Sequence, residues 1–315
     1  MAGSFAHFLK KFYFKKWILG VFRYDINEII RSKSFDPQVK WLWKRKFDKF
    51  YADPFILNSD GKGIKIFLEE FSFAEDYGRL TLLTLDKNFK QTGYKTILDT
   101  KSHLSYPFIF RENNKTYVFP EAGQSGKLTC YEYDTENETL HFLKDIMEVP
   151  LLDSTIIKHD GKYWIFGSIG KARAGYKLFI YSSDNLFGPY NAHPKNPVKF
   201  DPDGSRPAGN FIEVDGALYR PTQNCRNFYG ESITVNKVNV LTETDFEEEF
   251  YMAIKINENN KQNFGMRTIH TINSFDDLIV VDGMRWAFAP VRQVKSWLDN
   301  RKKARLMKEV HAKDE

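Results

Sequence analysis

The chain has 315 residues, of which 16% are aromatic and 28% are charged, and its formal net charge is +5. This length is enough to bury a substantial core in one large all-β domain or in two smaller domains. Its two cysteines, Cys130 and Cys225, form no CxxC motif, which argues against a disulfide framework and a zinc site and favours a reducing cytoplasm.

Residues 1–16 predict a basic amphipathic helix. Four lysines, Lys10, Lys11, Lys15 and Lys16, interrupt its apolar residues, so the segment is neither a signal peptide nor a membrane span. Residues 1–49 carry 12 Lys/Arg against 4 Asp/Glu, and residues 285–315 carry 9 against 4, while the body is acidic. The basic ends could lie on an anionic membrane surface, or they could be solvated faces of helices docked on the domain.

Nucleic acid is not a predicted partner. The acidic body would repel phosphates outside the two ends of the chain. The sequence contains no helix-turn-helix, zinc-finger or RNP-like pattern, which are the common nucleic-acid-binding signatures.

A repeated unit organises residues 17–288, with the spacing that marks propeller blades. Each copy has a polar residue, a short β-rich run, a turn and a second β-rich run, which is typical of a hairpin. The copies are ADPFILNSDGKGIKIFLEE (52–70), SYPFIFRENNKTYVFPEAG (105–123), DSTIIKHDGKYWIFGSIG (153–170), SRPAGNFIEVDGALYRPTQ (205–223) and the shorter IHTINSFDDLIVVDGMR (269–285).

Further alternating runs supply two more strands per unit and predict an all-β, five-bladed β-propeller. The fifth copy is followed by a helix-like segment, so its blade should be closed by N-terminal strands at 17–25 and 39–47, leaving no open edge. A β-sandwich with insertions is the alternative, although it does not require a fivefold repeat. The predicted organisation is a basic helix (1–16), the propeller (17–288) and a basic C-terminal helix (289–315).

The mouth of the central channel is the predicted site. Starts of first strands and ends of second strands meet there, and equivalent positions hold different polar residues in different copies. The predicted catalytic residues are Asp53, Glu121 and Asp153, although an Asp before a strand is also a common turn cap. Three separated carboxylates suit chemistry at an anomeric carbon, where an acid assists the leaving group and a carboxylate supports the cationic sugar or activates the incoming hydroxyl.

Eight polar residues around the same mouth are predicted to bind substrate. They are Glu70, Arg79, His103, Tyr106, Arg206, Gln223, His270 and Arg285. The cations could hold a phosphate or pyrophosphate. Only one of Glu69 and Glu70 can face the mouth because side chains alternate along a strand. No cofactor is identified and no metal ligand set is predicted, although clustered carboxylates could hold a divalent metal.

Several segments resemble the propeller domain at the amino end of plant glucosamine inositolphosphorylceramide transferases and of bacterial proteins encoded near surface-polysaccharide genes. They include HLSYPFIF (103–110), LFGPY (186–190) and SRPAGNFIEVDGALYRPTQNC (205–225), and the resemblance covers about residues 17–285. The architecture is also similar to that of arabinanases, β-xylosidases, invertases and levansucrases, which are often active on furanosides and use two Asp and one Glu at the axis.

This similarity implies a role for each predicted acid. Asp53 would be the first-blade acid, Asp153 the middle Asp and Glu121 the remaining acid. The hydrolases usually carry their acid Glu in a later blade, whereas the fourth blade here offers Arg206 and Gln223. That departure argues against simple hydrolysis and favours a phosphorylated donor.

The leading hypothesis is a glycosyltransferase of surface-polysaccharide assembly, for lipopolysaccharide O-antigen or capsule. Its predicted partners are a phosphorylated sugar donor, a lipid-linked glycan acceptor and an anionic membrane surface. The transferred sugar would be a furanosyl unit, or a 5-phosphoribosyl unit from phosphoribosyl pyrophosphate. The predicted location is the cytoplasm, peripheral at the inner face of the membrane. The alternatives are a furanoside-active glycoside hydrolase and a non-catalytic sugar-binding module.

Overall fold

The computed structural model describes residues 12–42, 48–61, 63–171, 175–257, 260, 263 and 265–288, together with residues 290, 293, 294, 297, 298 and 301. Within these residues, 22 strands form five antiparallel sheets, each built on four strand positions. The sheets are the blades of a five-bladed β-propeller, which confirms the predicted fold.

The elements follow the repeat in chain order. The chain begins with β1 (Tyr13–Arg23), helix α1 (Ile26–Ser32) and β2 (Lys40–Trp41). Blade one comprises β3 (Lys49–Asp60), β4 (Gly63–Ser72), β5 (Tyr77–Leu85) and β6 (Gln91–Leu98). Blade two comprises β7 (Ser105–Glu112), β8 (Lys115–Glu121), a 3-10 turn (Gly123–Ser125), β9 (Leu128–Asp134) and β10 (Thr139–Met147).

The later blades are less regular at their inner or outer strand. Blade three comprises β11 (Leu152–His159), β12 (Lys162–Lys171), β13 (Gly175–Ser183) and the short β14 (Asn191–Ala192) and β15 (Lys199–Phe200). Blade four comprises β16 (Arg206–Pro207), β17 (Ile212–Val214), β18 (Ala217–Asn224), β19 (Ser232–Leu241) and β20 (Phe246–Ile254). The last strands are β21 (Thr268–Phe275) and β22 (Leu278–Phe288).

Blade five is completed by the start of the chain. Its order from the axis outward is β21, β22, β1 and β2. Strand β1 pairs with β22 without interruption from Tyr13–Phe288 to Arg23–Leu278. The two N-terminal strands therefore close the ring as predicted, and the second is observed as Lys40–Trp41, with residues 43–47 outside the described part.

The N-terminal helix prediction was wrong for residues 13–16. They belong to β1 because they pair with the end of β22, and residues 1–11 lie outside the described residues. The short helix α1 was not predicted from the sequence. Asp25 caps it by accepting a hydrogen bond from the amide of Asn27, and its buried isoleucines dock it on the propeller.

The described residues of the predicted C-terminal helix, at positions 290, 293, 294, 297, 298 and 301, are helical. The rest of that segment lies outside the described part. Among the described residues, no helix has the length and apolar character needed to cross a bilayer.

Apolar side chains fill the spaces between neighbouring blades. One cluster spans blades one to three and includes Phe67, Phe119 and Ile165, while a second joins blades four and five to α1. These apolar clusters lie between the sheets. Polar side chains lie at the mouth of the axis.

Blade four also contains a buried ion pair. Nε and Nη2 of Arg220 donate to the two carboxylate oxygens of Glu248 at 2.8 and 2.6 Å, and both side chains are at most 3% exposed. Lys199 Nζ also contacts Glu248, at 2.7 Å. This fork geometry links β18 to β20, and loss of one partner would leave an uncompensated buried charge.

We predict that Arg220→Met lowers the free energy of unfolding by about 3 kcal/mol, because the buried Glu248 carboxylate loses its two-pronged partner and keeps only Lys199 as a cation among the described residues. Chemical denaturation monitored by circular dichroism measures the loss. Arg31→Met is the matched control, since it removes an exposed fork to Asp215 and should cost far less. Equal losses in the two variants would contradict the prediction.

Candidate active site at the propeller mouth

Bulges at the start of the inner strands aim polar side chains at the axis. Residue pairing is interrupted between Ala52 and Phe55 in blade one, and at the equivalent points of blades two and three. The bulge residues Asp53, Tyr106 and Asp153 have φ of 50°, 43° and 50°. This left-handed conformation is uncommon for non-glycine residues, and a bulge redirects its side chain away from the regular pleat.

Hydrogen bonds from the three bulge amides link blades one, two and three to the blade before each of them. The amide of Asp53 donates to Asp282 Oδ2 at 2.8 Å, and the amide of Tyr106 donates to Asp53 Oδ2 at 3.3 Å. The amide of Asp153 donates to Glu121 Oε2 at 3.1 Å. The carboxylates are therefore held in fixed positions around the mouth.

His270 connects two of these acids. Its Nδ1 donates to Asp282 Oδ1 at 2.6 Å, and its Nε2 lies 3.4 Å from Asp53 Oδ1. Its ring stacks on Trp17 with centroids 3.8 Å apart. Burial lowers the pKa of His270, but Asp282 and Asp53 outweigh it and raise the pKa above its usual value.

Arg206 bridges the other two acids. Its Nε donates to Asp153 Oδ2 and its Nη2 donates to Glu121 Oε2 at 3.4 Å. Its Nη1 donates to the hydroxyl of Tyr176 at 3.2 Å, and the guanidinium carbon lies 5.1 and 5.0 Å from the ring centres of Tyr176 and Tyr229. Two aromatic rings and two acids thus orient a cation at the mouth.

Burial raises the pKa values of several acids in this cluster. It raises that of Asp53 to about 7 against the opposing effect of His270. Burial and the charge of Asp153 raise the pKa of Glu121 well above its usual range, although Arg206 opposes them. Asp153 instead accepts hydrogen bonds from Arg206 and, at 2.8 Å, from Gln223 Nε2. A protonated acid next to an ion-paired carboxylate is an arrangement suited to acid–base chemistry.

Six predicted site residues come together in this cluster. They are Asp53, Glu121, Asp153, Arg206, Gln223 and His270. We call these residues, together with Asp282 and Glu69, the axial cluster.

Tyr106 and His103 lie at its borders. The Tyr106 hydroxyl accepts from the amide of Gly209 at 2.8 Å and bonds Thr155 Oγ1 at 2.8 Å, so it is a buried axial contact between blades. His103 lies on the rim, with its side chain 30% exposed and its Nε2 3.9 Å from Glu69 Oε1. Burial and Arg206 lower the pKa of His103.

The predicted placement of Glu70 and Arg79 at the mouth needs correction. Glu69 is the inward residue, since burial and the charges of Asp53 and Glu121 raise its pKa well above the usual range. Glu70 points to the other face of β4, where its Oε1 lies 2.7 Å from Lys49 Nζ. Arg79 is paired with Glu70 in register and forms ion pairs with Glu75 and Asp99.

Arg285 also differs from its predicted place. It lies three residues beyond Asp282 on the regularly paired strand β22, opposite Lys16. Strand alternation therefore puts it on the opposite face from Asp282.

Asp282 and Glu69 were expected at the mouth as ends of second strands, with the choice between Glu69 and Glu70 left open, but neither was named among the substrate-binding residues. Both lie near the mouth end of a second strand, as Glu121 does, and that repeat position was a usable signal. Trp17 was missed, since nothing in the repeat pattern places β1 against His270. Tyr229, in the loop after β18, contacts the same histidine ring.

Asp53, His270 and Asp282 each offer a ligand atom within 4.8 Å of the others. Both oxygens of Asp282 already accept hydrogen bonds, from His270 Nδ1 and from the amide of Asp53. A cation would face Asp53 Oδ1 and His270 Nε2, and it would share the oxygens of Asp282 with these hydrogen bonds. His270 and Asp282 form a hydrogen-bonded pair, and Asp53 Oδ1 lies beside it without a hydrogen-bond partner among the described residues.

Comparison with known proteins identifies relatives. Residues 44–283 match the family described as glucosamine inositolphosphorylceramide transferase 1, N-terminal. The chain is 32% identical over 249 residues to glucosamine inositolphosphorylceramide transferase 1 of Arabidopsis thaliana, covering 75% of this chain and 32% of that protein. It is 31% identical over 206 residues to the protein of that name from Oryza sativa subsp. japonica, covering 63% and 27%. The chain thus spans about a third or less of the length of these relatives.

Solved structures share the fold at low sequence identity. Zg3597, a family 117 glycoside hydrolase of Zobellia galactanivorans, is similar with a TM-score of 0.51 and 12% identity, covering 87% of this chain and 91% of that chain. A thermostable family-43 glycoside hydrolase gives a TM-score of 0.52 and 13% identity, covering 68% and 82%. These likenesses show the propeller architecture alone.

We predict that the stability of the protein falls as pH rises from 5 to 8. The pKa values of Asp53, Glu69, Glu121 and His270 are raised in the folded state, so the folded protein holds protons that the unfolded chain releases. Asp53→Asn should make the loss of unfolding free energy between pH 5 and pH 8 smaller by roughly 3 kcal/mol. Urea unfolding at several pH values measures it.

Asp160→Asn is the matched control for that measurement. Asp160 is also a left-handed aspartate, with φ of 48°, but its side chain is 86% exposed. It should keep the pH dependence of the wild type. A wild-type stability that rises from pH 5 to 8 would contradict the raised pKa values.

Proposed function

The chain belongs to the family of the N-terminal domain of glucosamine inositolphosphorylceramide transferase 1, and on that premise we propose that its axial cluster transfers a sugar from a phosphorylated donor to a lipid-linked glycan. The plant relatives carry the name of a transferase and are named for glucosamine and inositolphosphorylceramide, a sugar and a lipid. The cluster supports catalysis within this part of the molecule, because it combines buried acids with an oriented cation.

The single observation that carries the proposal is the position of Arg206. Among the described residues, three of its five N–H groups have partners: Nε with Asp153, Nη1 with Tyr176 and Nη2 with Glu121. One N–H on each Nη nitrogen is left for a ligand, and the side chain is 11% exposed. A guanidinium with two remaining N–H groups is suited to phosphate oxygens, whereas a neutral glycan has no need of a cation.

Asp53 is the proposed base. Its Oδ1 is buried and has no hydrogen-bond partner among the described residues, while its Oδ2 accepts from the amide of Tyr106. A pKa of about 7 makes it an effective proton acceptor near neutral pH. It would take the proton of the acceptor hydroxyl as that oxygen attacks the anomeric carbon.

The bond from the anomeric carbon to the phosphate oxygen breaks in the same step, and its electron pair leaves with the phosphate. Arg206 would stabilise the charge that develops on that group, and Glu121 in its protonated form could donate a hydrogen bond to it. Asp153 Oδ1 also lacks a hydrogen-bond partner among the described residues. It would face the positive charge that develops on the sugar ring.

The finer proposal concerns the donor and the setting. We propose a furanosyl donor, with phosphoribosyl pyrophosphate as the leading candidate, and an acceptor in lipopolysaccharide or capsule assembly at the cytoplasmic face of the membrane. Support comes from the compact acid cluster next to Arg206 and from the architecture that the chain shares with glycoside hydrolases.

Hydrolysis of a furanoside is the second candidate. The specific observation in its favour is that Arg206 is already engaged by two acids, so the charge available to a phosphate is reduced. In that case Asp53 would activate water in place of an acceptor hydroxyl.

We predict that the purified protein transfers a sugar from phosphoribosyl pyrophosphate to a lipid-linked glycan, measured as a mass increase of the acceptor. Asp153→Asn and Glu121→Gln should lower the rate about 100-fold or more, because each removes a charge or proton from the reacting centre. Asp160→Asn should leave the rate unchanged. A folded protein that transfers nothing from this donor or from any nucleotide sugar would contradict the proposal.

A second substitution separates the transferase from the hydrolase. Arg206→Lys keeps the charge but loses the fork, so the KM for a phosphorylated donor should rise about tenfold or more. Release of sugar from nitrophenyl furanosides that is abolished by Asp53→Asn would favour the hydrolase instead. Calorimetric binding of a glycan without turnover of any donor would indicate a sugar-binding module.

A further inference from the structure

Strands β1 and β22 extend beyond the inner strand of their own blade, at the end where the mouth lies. The last residue pair between β21 and β22 is Thr268–Met284, whereas β22 continues to pair with β1 as far as Phe288–Tyr13. Residues 13–16 and 285–288 thus form a two-stranded ribbon that overhangs the inner strand by about 14 Å. We call this ribbon the lip.

One face of the lip is aromatic and exposed. Tyr13 pairs with Phe288 and Lys15 pairs with Trp286, so these four side chains share a face. Tyr13, Trp286 and Phe288 are 47%, 46% and 38% exposed. The exposed ring of Phe228 adds to the patch, with Lys15 Nζ 5.0 Å from its centre.

The same face leads into the axial cluster. Two residues further along β1 comes Trp17, whose ring stacks on His270. The side chains on this face therefore pass from the exposed tip of the lip to the buried Trp17, which contacts a residue of the candidate active site. Contiguous exposed aromatic surfaces of this kind mark interaction sites.

The chemistry of the lip matches a bilayer surface. Tyrosine and tryptophan concentrate at membrane–water interfaces, and a neighbouring lysine can extend its charge to lipid phosphates. The segment that follows the lip adds exposed Val294, Trp297 and Leu298, which share a helix face by their spacing. Residues 285–315 carry 9 Lys/Arg against 4 Asp/Glu, which complements an anionic leaflet.

We propose that the lip inserts its aromatic face into the interface of an anionic phospholipid bilayer and so holds the mouth against the membrane. The membrane contact is inferred from the structure of the lip and does not depend on the proposed function. Its purpose rests on the proposed function: a lipid-anchored acceptor could enter the mouth along the Trp17 face without leaving the bilayer.

Vesicle sedimentation tests the proposal with the full chain. The protein should bind vesicles of phosphatidylcholine and phosphatidylglycerol more strongly than vesicles of phosphatidylcholine alone. Trp286→Ser combined with Phe288→Ser should weaken binding to the anionic vesicles tenfold or more. Phe142→Ser combined with Phe250→Ser is the matched control, because these rings are 64% and 66% exposed on the outer strands β10 and β20, and it should bind like the wild type.

The outcomes separate the two proposals. No binding of the wild type at low salt, or equal binding by the lip variant, would overturn the membrane contact whatever the result of the transfer assay. Should the double variant fail to fold by circular dichroism, Phe228→Ser and quenching of tryptophan fluorescence by brominated lipid test the same surface. Transfer to a water-soluble acceptor that survives the lip substitutions would show that the active site is intact.

Discussion

The bond from a bulge amide to a carboxylate of the preceding blade is the interaction on which this molecule depends. Asp53, Tyr106 and Asp153 each donate such a bond. Each one crosses a blade boundary, so it joins neighbouring sheets and fixes an acid at the axis in the same contact. The three donors lie in left-handed bulges, which redirect the backbone and side chain from the regular pleat.

Crowding acids at a buried axis has an electrostatic cost, and the cluster offsets it in two ways. Asp153 is paired with Arg206, whereas Glu69 and Glu121 have raised pKa values and so lose their charge more readily. Burial raises the pKa of Asp53 to about 7. Burial thus places acids with raised pKa values next to the oriented Arg206 cation, which is the mixture that the proposed transfer would use.

Closure of the ring and the proposed membrane contact come from the same strand. Strand β1 completes blade five, brings Trp17 onto His270 and extends beyond the inner strand as half of the lip. Because one strand does all three, the mouth, the site and the exposed aromatic face have a fixed relative position.

The sequence alone determined the five blades, their closure by N-terminal strands and six residues of the axial cluster, because the spacing of polar and apolar residues within a repeat follows from strand geometry. Tertiary structure decided the rest. The bulge before Phe55 and the pairing that follows set which of Glu69 and Glu70 faces inward, and Asp282 joined Asp53 only through contact between blades. Residues 13–16 became strand because β22, far along the chain, was available to pair with them. The local sequence pattern encodes a strand or a helix. Which side chain faces inward after a bulge, and which distant strand becomes a partner, is decided only by tertiary contacts.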